Sequence, residues 1–590
     1  MGTAKGATRR ARLVAAARAH AQALPRSPLA WILAAQVVLH VVGIGWGLPA
    51  SDGWDNDGVA PRDFLAGLAE TFTPGHHTTY PPVHLAILAV VTAPVTLAAL
   101  ARAPSLARAD VVAQMLHVPT MTALAYGARA VTVAMALGVA WAVARMVEEV
   151  RGARAGACAA AFVGVNVPFT YYAHTSNLDV PYLFWGCLAL LALVRAIHRR
   201  EPERLRAWAL FAALAVGTKD QAYALFLLAV PGAVALWIAL DPWAREHARA
   251  VVRQAASAGA MAVVAVLLVD GALVNPSGFA ARLRFLRGPA SQAYASYSDD
   301  WTGRFYVVAD LGAKLVTYYP LALVVLAGLG LVLLVRCARV ERAPARLVAG
   351  LVPLLAALSF TVAFNCVARR TDHRFGLPQA VLAATYGGVA VDALVFRART
   401  GPAARWLLRL AVAAAFAVAL FGAADVDANL VLDPRYEAED WLRAHVRPGD
   451  AIETYGLDVY MPRFPEGAHV VRVGPSPDDH RSPMAGVEEL LADYDGAAAR
   501  GARFIVVSEG WAWRYLIDPA DFPTEGRRLP PVQVANGSDA RATAYFRALT
   551  ESRYAPYTVE HVARWGSTLW PAIELHASTS REIWIYERRN

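Results

Sequence analysis

Long apolar stretches constrain this chain more than any other feature. They recur from about residue 28 to residue 423, and many approach 20 residues, the length that a helix needs to cross the hydrocarbon core of a bilayer. Of the 590 residues, 57% are hydrophobic and only 17% are charged. Soluble domains have about a quarter charged residues. The pattern predicts a mainly α-helical, polytopic membrane protein that ends in a soluble part.

We predict about thirteen membrane-spanning helices from these stretches. They lie near residues 28–48, 82–101, 108–124, 126–146, 156–174, 179–198, 205–218, 221–240, 252–272, 312–336, 345–364, 377–397 and 404–423.

The basic residues predict which side of the membrane each connection faces. Arginines cluster in six connections, namely 102–108, 145–154, 195–206, 245–253, 336–346 and 397–409. Cytoplasmic loops carry an excess of Lys and Arg, so these connections are predicted to be cytoplasmic. All six share one side only if residues 108–146 cross the membrane twice, with an outer turn near Tyr126 to Arg129. The net charge of +9 is explained in the same way, without a nucleic-acid partner.

These patterns divide the chain into three parts. Residues 1–27 form a basic, cytoplasmic N-terminus, and residues 28–423 form a transmembrane domain with an extracytoplasmic first loop at 49–81. Residues 424–590 form an extracytoplasmic α/β domain, with a helix at 433–444 and strands at 451–455, 504–507 and 582–586. We expect a multi-pass protein of the inner (plasma) membrane.

The first loop carries a cluster of acids at Asp52, Asp55 and Asp57. Carboxylates beside a bilayer are tolerated where they face water, and partial burial there raises their pKa and suits a general base. The alternative is that they cap a helix that begins near Pro61.

Further polar groups lie at the predicted outer ends of later spans. Asp179 follows His174 and opens a span, where an acid also caps a helix. Lys219 lies between two apolar stretches, either extending to the interface or meeting an anion. Arg374, which follows His373, and Arg129 lie on the predicted outer side, although Lys and Arg usually concentrate on the cytoplasmic side. A guanidinium binds two phosphate oxygens at once through parallel hydrogen bonds.

The histidines and cysteines give little support for a metal site. His76 and His77 precede Tyr80 and are adjacent, so their side chains point apart in a helix or a strand. The four cysteines include no CxxC pair. A divalent metal therefore remains possible but unsupported, and no cofactor is predicted.

Carboxylates and cations on one face are what a lipid-linked sugar phosphate requires. The polyprenyl tail lies in the bilayer, the phosphate needs cations at the interface, and an acceptor hydroxyl or amine needs a base. Breaking the sugar–phosphate bond leaves charge on the phosphate, which cations already in place would stabilise.

Several short motifs, taken in order, resemble the GT-C superfamily of polytopic glycosyltransferases. Within it, the chain is similar to the group of bacterial enzymes related to protein O-mannosyltransferases and to the aminoarabinose transferase of lipid A. The motifs are Gly47-Leu48-Pro49 before the acidic loop, Tyr80-Pro81-Pro82, Asn177-Leu178-Asp179-Val180-Pro181, Gly217-Thr218-Lys219, His373-Arg374-Phe375-Gly376-Leu377-Pro378, Asp433-Pro434-Arg435-Tyr436 and Arg447-Pro448-Gly449-Asp450.

The resemblance implies inverting transfer of a sugar from a polyprenyl-phosphate donor on the extracytoplasmic face. It implies Asp57 as the base, with Asp55 and Asp52 as alternates, because Asp-Asn-Asp stands where the commonest family pattern is Asp-Glu. Substrate-binding roles are predicted with it. Lys219, Arg129 and Arg374 are expected to bind the donor phosphate and Asp179 to shape the acceptor site, with Asp52, Tyr80, His174 and His373 beside them.

Two other classes stay open: a transporter or lipid flippase, and a non-catalytic membrane scaffold. A transporter often shows repeated halves with broken helices, and no internal repeat is evident here. The partners implied by the transferase reading are a polyprenyl-phosphate sugar, membrane lipids and an acceptor that is a lipid, a glycan or a protein.

Overall fold

The computed structural model describes residues 27–50, 53–55, 57–397, 401–480, 484, 486–517, 530–531, 534–535, 539–565, 579 and 581–589. The predicted N-terminus at 1–26, Asp52 and Asn56 lie outside the described residues.

The part before residue 432 is helical. Its α-helices are Pro28–Val41, Asp63–Phe72, Pro82–Val91, Ala93–Arg102, Arg108–Leu116, Val118–Arg151, Ala153–Gly164, Val167–Ala173, Asp179–His198, Leu205–Val216, Ala229–Leu240, Pro242–Glu246, Ala248–Val269, Pro276–Arg287, Pro289–Gln292, Trp301–Tyr318, Leu321–Val340, Pro344–Phe360, Cys366–Ala368, His373–Val391 and Pro402–Val431.

Membrane-length helices dominate this part, as the sequence predicts. Among the described residues, eight helices are long and apolar enough to cross a membrane, or nine if a pair bent by 62° at Thr92 counts as one span. Two shorter apolar helices, Pro28–Val41 and Ala153–Gly164, pack with them. The predicted class, a polytopic helical bundle with a C-terminal α/β part, is confirmed.

One predicted turn is wrong. Residues 118–151 form a single helix of 34 residues, so no turn breaks the chain near Tyr126 to Arg129. Arg129 is only 3% exposed and needs no aqueous turn, because its Nη1 donates hydrogen bonds to the carbonyl oxygens of Ile44 and Trp46. The predicted double crossing of residues 108–146 therefore does not occur.

The bent pair of helices, Pro82–Val91 and Ala93–Arg102, packs beside the N-terminal part of the long helix Val118–Arg151. Leu85 and Leu88 pack against Met121 and Leu124. The pair is either one broken span or a loop that enters and leaves the membrane on the same side. With a single crossing at 118–151, only the second arrangement would keep the later basic loops on one side, and it would place the connection 102–108 on the first-loop side.

The other end of the bundle gathers four of the predicted cytoplasmic connections. Asp392 is 1% exposed and pairs with Arg154 at 2.7 Å and with Arg397 at 2.5 Å. Arg199 pairs with Glu149 at 2.6 Å, and Arg151 lies 3.9 Å from Glu341. These ion pairs join segments that are far apart in the chain, so the basic loops meet at one end.

Asp392→Asn is expected to destabilise the protein by about 1–3 kcal/mol, because two arginines lose their buried carboxylate partner. The measurement is thermal unfolding in detergent, where the midpoint temperature should fall. Asp440→Asn is the matched control, since Asp440 is 75% exposed and its pair with Arg443 should contribute less than about 1 kcal/mol. Equal midpoints for wild type and Asp392→Asn would contradict the expectation.

Beyond residue 432 the chain forms one mixed sheet with flanking helices. The helices are Pro434–His445, Ala497–Arg500, Glu509–Leu516 and Ala540–Thr550, and the strands are β1 (Ala451–Tyr455), β2 (His469–Gly474), β3 (Val487–Leu491), β4 (Phe504–Ser508), β5 (Tyr557–Ala563) and β6 (Ile583–Arg588). The order is β3-β2-β1-β4-β6-β5, parallel from β3 to β4, with β6 antiparallel to β4 and β5 antiparallel to β6. The strands predicted at 451–455, 504–507 and 582–586 correspond to β1, β4 and β6.

The two faces of the sheet carry separate cores, because alternate residues of a strand point to opposite faces. Ile452 and Phe504 pack on one face against Leu442 of the helix Pro434–His445. Tyr455 and Ile505 pack on the other face with a group of aromatic side chains. The helix Pro434–His445 follows directly on the last membrane helix. Arg463, between β1 and β2, donates to the Leu48 carbonyl at 2.9 Å, which brings the sheet close to the first loop.

Candidate active site

In the structure the helix Pro28–Val41 ends before Val42, so the first loop begins at Val42 and extends to Pro81. It presents two carboxylates in different surroundings. The carboxylate of Asp55 is buried, at 7% exposure, and its Oδ1 accepts the backbone N–H of Asp57 at 3.3 Å and the hydroxyl of Tyr171 at 3.5 Å. The side chain of Asp57 is 22% exposed, and its Oδ2 lies 2.5 Å from Nη1 of Arg374. Asp57 is therefore the more open of the two acids and has a cation beside it.

Arg374 lies in the first turn of the helix His373–Val391. The start of this helix is fixed by Asn365, whose Nδ2 donates to the Phe375 carbonyl at 2.9 Å, and by the Tyr318 hydroxyl, which donates to the carbonyl of His373. The side chain of Arg374 is 16% exposed. A charge-assisted hydrogen bond from a guanidinium to a carboxylate is among the stronger ones in proteins.

A second acid–cation pair joins Lys219 to Asp179. Lys219 lies between two helical segments, and its Nζ donates to Asp179 Oδ1 at 2.7 Å. Asp179 opens its helix and is 0% exposed, with Gln221 Nε2 at 3.4 Å from the same oxygen. Among the described residues, Oδ2 of Asp179 has no hydrogen-bond partner. A buried carboxylate oxygen in this position can accept a hydrogen bond from a hydroxyl of a substrate.

Backbone contacts hold the two pairs close to each other. Val59 N donates to the Ser176 carbonyl at 3.3 Å, and Ser176 Oγ donates to the Val59 carbonyl at 3.1 Å, which ties the first loop to the segment before Asp179. Val83 N donates to the Gly217 carbonyl at 2.9 Å, which ties the segment after Tyr80 to the Lys219 loop.

The pKa shifts of two groups reflect this closeness. Burial raises the pKa of Tyr80, and the charges of Asp57, Asp179 and Asp55 raise it further, while Arg374 opposes them. Burial lowers the pKa of Lys219, and the charge of Arg374 lowers it as well. Asp57, Arg374, Asp179 and Lys219 therefore lie around one site, although they come from four parts of the chain.

Three of the predicted substrate-binding residues make other contacts. Arg129 binds carbonyl oxygens of the first loop. His174 is 1% exposed, with its ring nitrogens 2.7 Å from the Thr170 carbonyl and 2.6 Å from the Val42 carbonyl, and 3.2 Å from Asp427 Oδ1. His373 packs its ring against Tyr318. Their predicted roles on a substrate stay predictions.

A metal site is not evident in the part of the chain that the structure describes. No group of three or more His, Cys, Asp or Glu side chains in that part could hold a metal ion.

Sequence reasoning missed the contacts that the C-terminal part makes with the first loop. Asp433, Arg435, Tyr436 and Arg463 all reach residues 46–54. The motif at 433–436 was evident in the sequence, but nothing in it indicated the loop as its partner.

Comparison with known proteins gives one family match. Residues 121–269 match the model of the dolichyl-phosphate-mannose-protein mannosyltransferase family. No curated protein sequence matches the chain.

The chain is also similar to three solved structures. ArnT from Cupriavidus metallidurans, in the apo state, has 16% identity and a TM-score of 0.43, covering 85% of this chain and 96% of that one. AglB from Archaeoglobus fulgidus, an oligosaccharyltransferase, has 10% identity and a TM-score of 0.44, covering 95% and 88%. Arabinofuranosyltransferase AftD from Mycobacteria has 15% identity and a TM-score of 0.37, covering 95% of this chain and 41% of that one. The resemblance that the motifs predict is thus confirmed over residues 121–269, where the chain is similar to the dolichyl-phosphate-mannose-protein mannosyltransferase family.

Proposed function

We propose that this chain is an integral membrane glycosyltransferase that transfers a sugar from a polyprenyl-phosphate donor to an acceptor on the extracytoplasmic face. The observation that supports the proposal most is the pair of acid–cation contacts, Asp57 with Arg374 and Asp179 with Lys219, around one site. Such a site supplies both a base and phosphate-binding cations.

In the proposed reaction, Asp57 takes the proton from an acceptor hydroxyl or amine. The acceptor atom then attacks the anomeric carbon, and the bond from that carbon to the phosphate oxygen breaks. The electron pair leaves with the polyprenyl phosphate, whose added negative charge Lys219 and Arg374 stabilise. Attack opposite the leaving group inverts the anomeric configuration.

The choice of Asp57 over Asp55 follows from exposure. Asp57 is 22% exposed along its side chain, whereas Asp55 is 7% exposed and already accepts hydrogen bonds from within the protein. A general base must come within hydrogen-bond reach of the proton that it takes. Oδ2 of Asp179, which has no hydrogen-bond partner in the part of the chain that the structure describes, suits a hydrogen bond from a hydroxyl of the sugar or the acceptor.

The proposed orientation follows from charge. The end of the bundle with the arginine-rich connections faces the cytoplasm of the plasma membrane, and the site and the sheet face outward. A membrane-impermeant thiol reagent should then label a cysteine introduced at Asp440 in intact cells, and should leave one introduced at Arg342 unlabelled.

Mass spectrometry of lipid-linked sugars and envelope glycans, with and without the protein, tests the function. Loss of the protein should cause one polyprenyl-phosphate sugar to accumulate and one glycan modification to disappear. Unchanged lipid-linked sugars and glycans would contradict the proposal. Proton- or sodium-dependent flux in vesicles, without sugar transfer, would favour a transporter instead.

A further inference from the structure

The segment that follows the last membrane helix contacts the first loop directly. Asp433 Oδ2 accepts the indole N–H of Trp46 at 3.0 Å, and the hydroxyl of Tyr436 accepts the backbone N–H of Gly47 at 3.2 Å. These contacts join residues nearly 400 positions apart, with separations of 387 and 389. The start of the C-terminal part is therefore attached to the loop that carries Asp57.

Arg435 is the centre of this contact. Its guanidinium carbon lies 4.0 Å from the ring centre of Trp54 and 5.3 Å from that of Trp46, both of which are 2% exposed. Asp433 orients the guanidinium through bonds of 2.8 Å from Nε and 2.7 Å from Nη2. A desolvated cation over an indole face is among the more favourable cation–π arrangements.

The loop has little freedom to move away from Arg435. Gly47 has φ +70°, and a Cβ there would lie 2.7 Å from Cγ of Trp54, so Gly47 and the indole of Trp54 are in close contact. Arg463 donates to the Leu48 carbonyl at 2.9 Å, and Arg129 to the Trp46 carbonyl at 2.8 Å. Trp54 directly precedes Asp55 and stands three residues before Asp57.

The position of Trp54 therefore sets the position of the two acids. Arg435 also donates to the carbonyl of Val459, which follows strand β1, so the guanidinium joins the sheet to the loop.

We propose that Arg435 is a positioning residue: through Trp54 it holds the first loop so that Asp57 faces the acceptor. The role rests on the proposed function of the site. It makes the C-terminal sheet part of the catalytic geometry, because the sheet holds Arg435 in place. A misplacement of about 1 Å can reduce a catalytic rate about 100-fold.

Two variants of the full-length protein test this role. Arg435→Met removes the charge and the stacking, and Arg435→Lys keeps the charge while losing the planar fork. We expect kcat for transfer to fall about 100-fold in Arg435→Met and about tenfold in Arg435→Lys. KM for the donor should stay within about twofold, because Lys219 and Arg374 are untouched. Arg541→Lys is the control, since Arg541 is 66% exposed in a surface ion pair, and should behave as wild type.

Hydrogen exchange supplies a readout that does not depend on activity. Amides of residues 53–60 should exchange about tenfold faster in Arg435→Met than in wild type, while those of residues 373–391 should not change. Unchanged exchange at 53–60, or a kcat within twofold of wild type in Arg435→Met, would overturn the role.

The failure of the proposed function gives a different pattern. If the wild-type protein releases no polyprenyl phosphate from any polyprenyl-phosphate sugar, the transferase proposal fails, and the positioning role fails with it. If the wild type is active and the Arg435 variants match it, only the positioning role fails. If the Arg435 variants raise KM for the donor but keep the wild-type kcat, Arg435 acts in donor binding, which would contradict the positioning role.

Discussion

Asp57→Asn is expected to reduce kcat for sugar transfer by about 10³-fold, because general base catalysis contributes about 10² to 10⁴-fold. The amide keeps the size of the side chain but cannot take the acceptor's proton. The measurement is release of radiolabelled sugar from a polyprenyl-phosphate donor by the purified protein in vesicles.

Asp63→Asn is the matched control for this variant. Asp63 is another first-loop aspartate, with a side chain 57% exposed, and Nε of Arg62 lies 3.9 Å from its Oδ1. Its turnover should stay within about twofold of wild type, as for most surface substitutions. Normal turnover by both Asp57→Asn and Asp55→Asn would remove the base assignment.

Loss of Lys219 has the second large expected effect. Lys219→Met should weaken binding of undecaprenyl phosphate by about 10²-fold and reduce kcat as well, because a charge-assisted contact to phosphate is lost where water is excluded. Undecaprenyl phosphate is the probe because it carries the polyprenyl chain and the phosphate group of the proposed donor.

This variant alone leaves a charge buried without its partner. Asp179 is 0% exposed, so an unpaired carboxylate there could destabilise the fold by about 3–5 kcal/mol. The double variant Lys219→Met with Asp179→Asn removes both charges, so its unfolding temperature should be closer to that of wild type. Its affinity for undecaprenyl phosphate should remain as weak as in Lys219→Met alone. Wild-type affinity in the double variant would contradict the role of Lys219.

The affinity for undecaprenyl phosphate should also depend on pH in a defined direction. Burial lowers the pKa of Lys219, so the ammonium loses its proton at a lower pH than an ordinary lysine. Affinity should therefore be full below the lowered pKa and should decline as the pH rises through it. In Lys219→Arg this decline should be absent over the same range, since a guanidinium stays protonated. A decline that persists in Lys219→Arg would assign it to another group.

The sequence allowed the membrane-embedded part to be predicted because apolar length reports directly on burial in a bilayer. The helix Asp179–His198 was predicted at 179–198, and β1 was predicted at its observed bounds. The predicted turn near Arg129 failed for a specific reason. An arginine in an apolar stretch normally indicates water, but here two backbone carbonyls of the first loop replace that water.

The sequence predicted which acidic and basic residues lie on the outer face, but not which acid pairs with which cation. Positions at the outer ends of spans indicated that Asp57, Asp179, Lys219 and Arg374 share a face, yet no pattern specified which acid meets which cation. The contact of Arg435 with Trp54 could not be predicted at all, because these two residues are far apart in the sequence. Such contacts depend on the packing of the whole bundle and leave no periodic signal.

Charges from four distant segments are proposed to form one lipid-phosphate site. A cryo-EM structure of the protein in lipid nanodiscs with undecaprenyl phosphate would test this arrangement. We expect the phosphate to contact Lys219 Nζ and the Arg374 guanidinium, with the carboxylate of Asp57 facing the same site. A phosphate bound elsewhere, or Asp57 and Lys219 at opposite ends of the bundle, would contradict it.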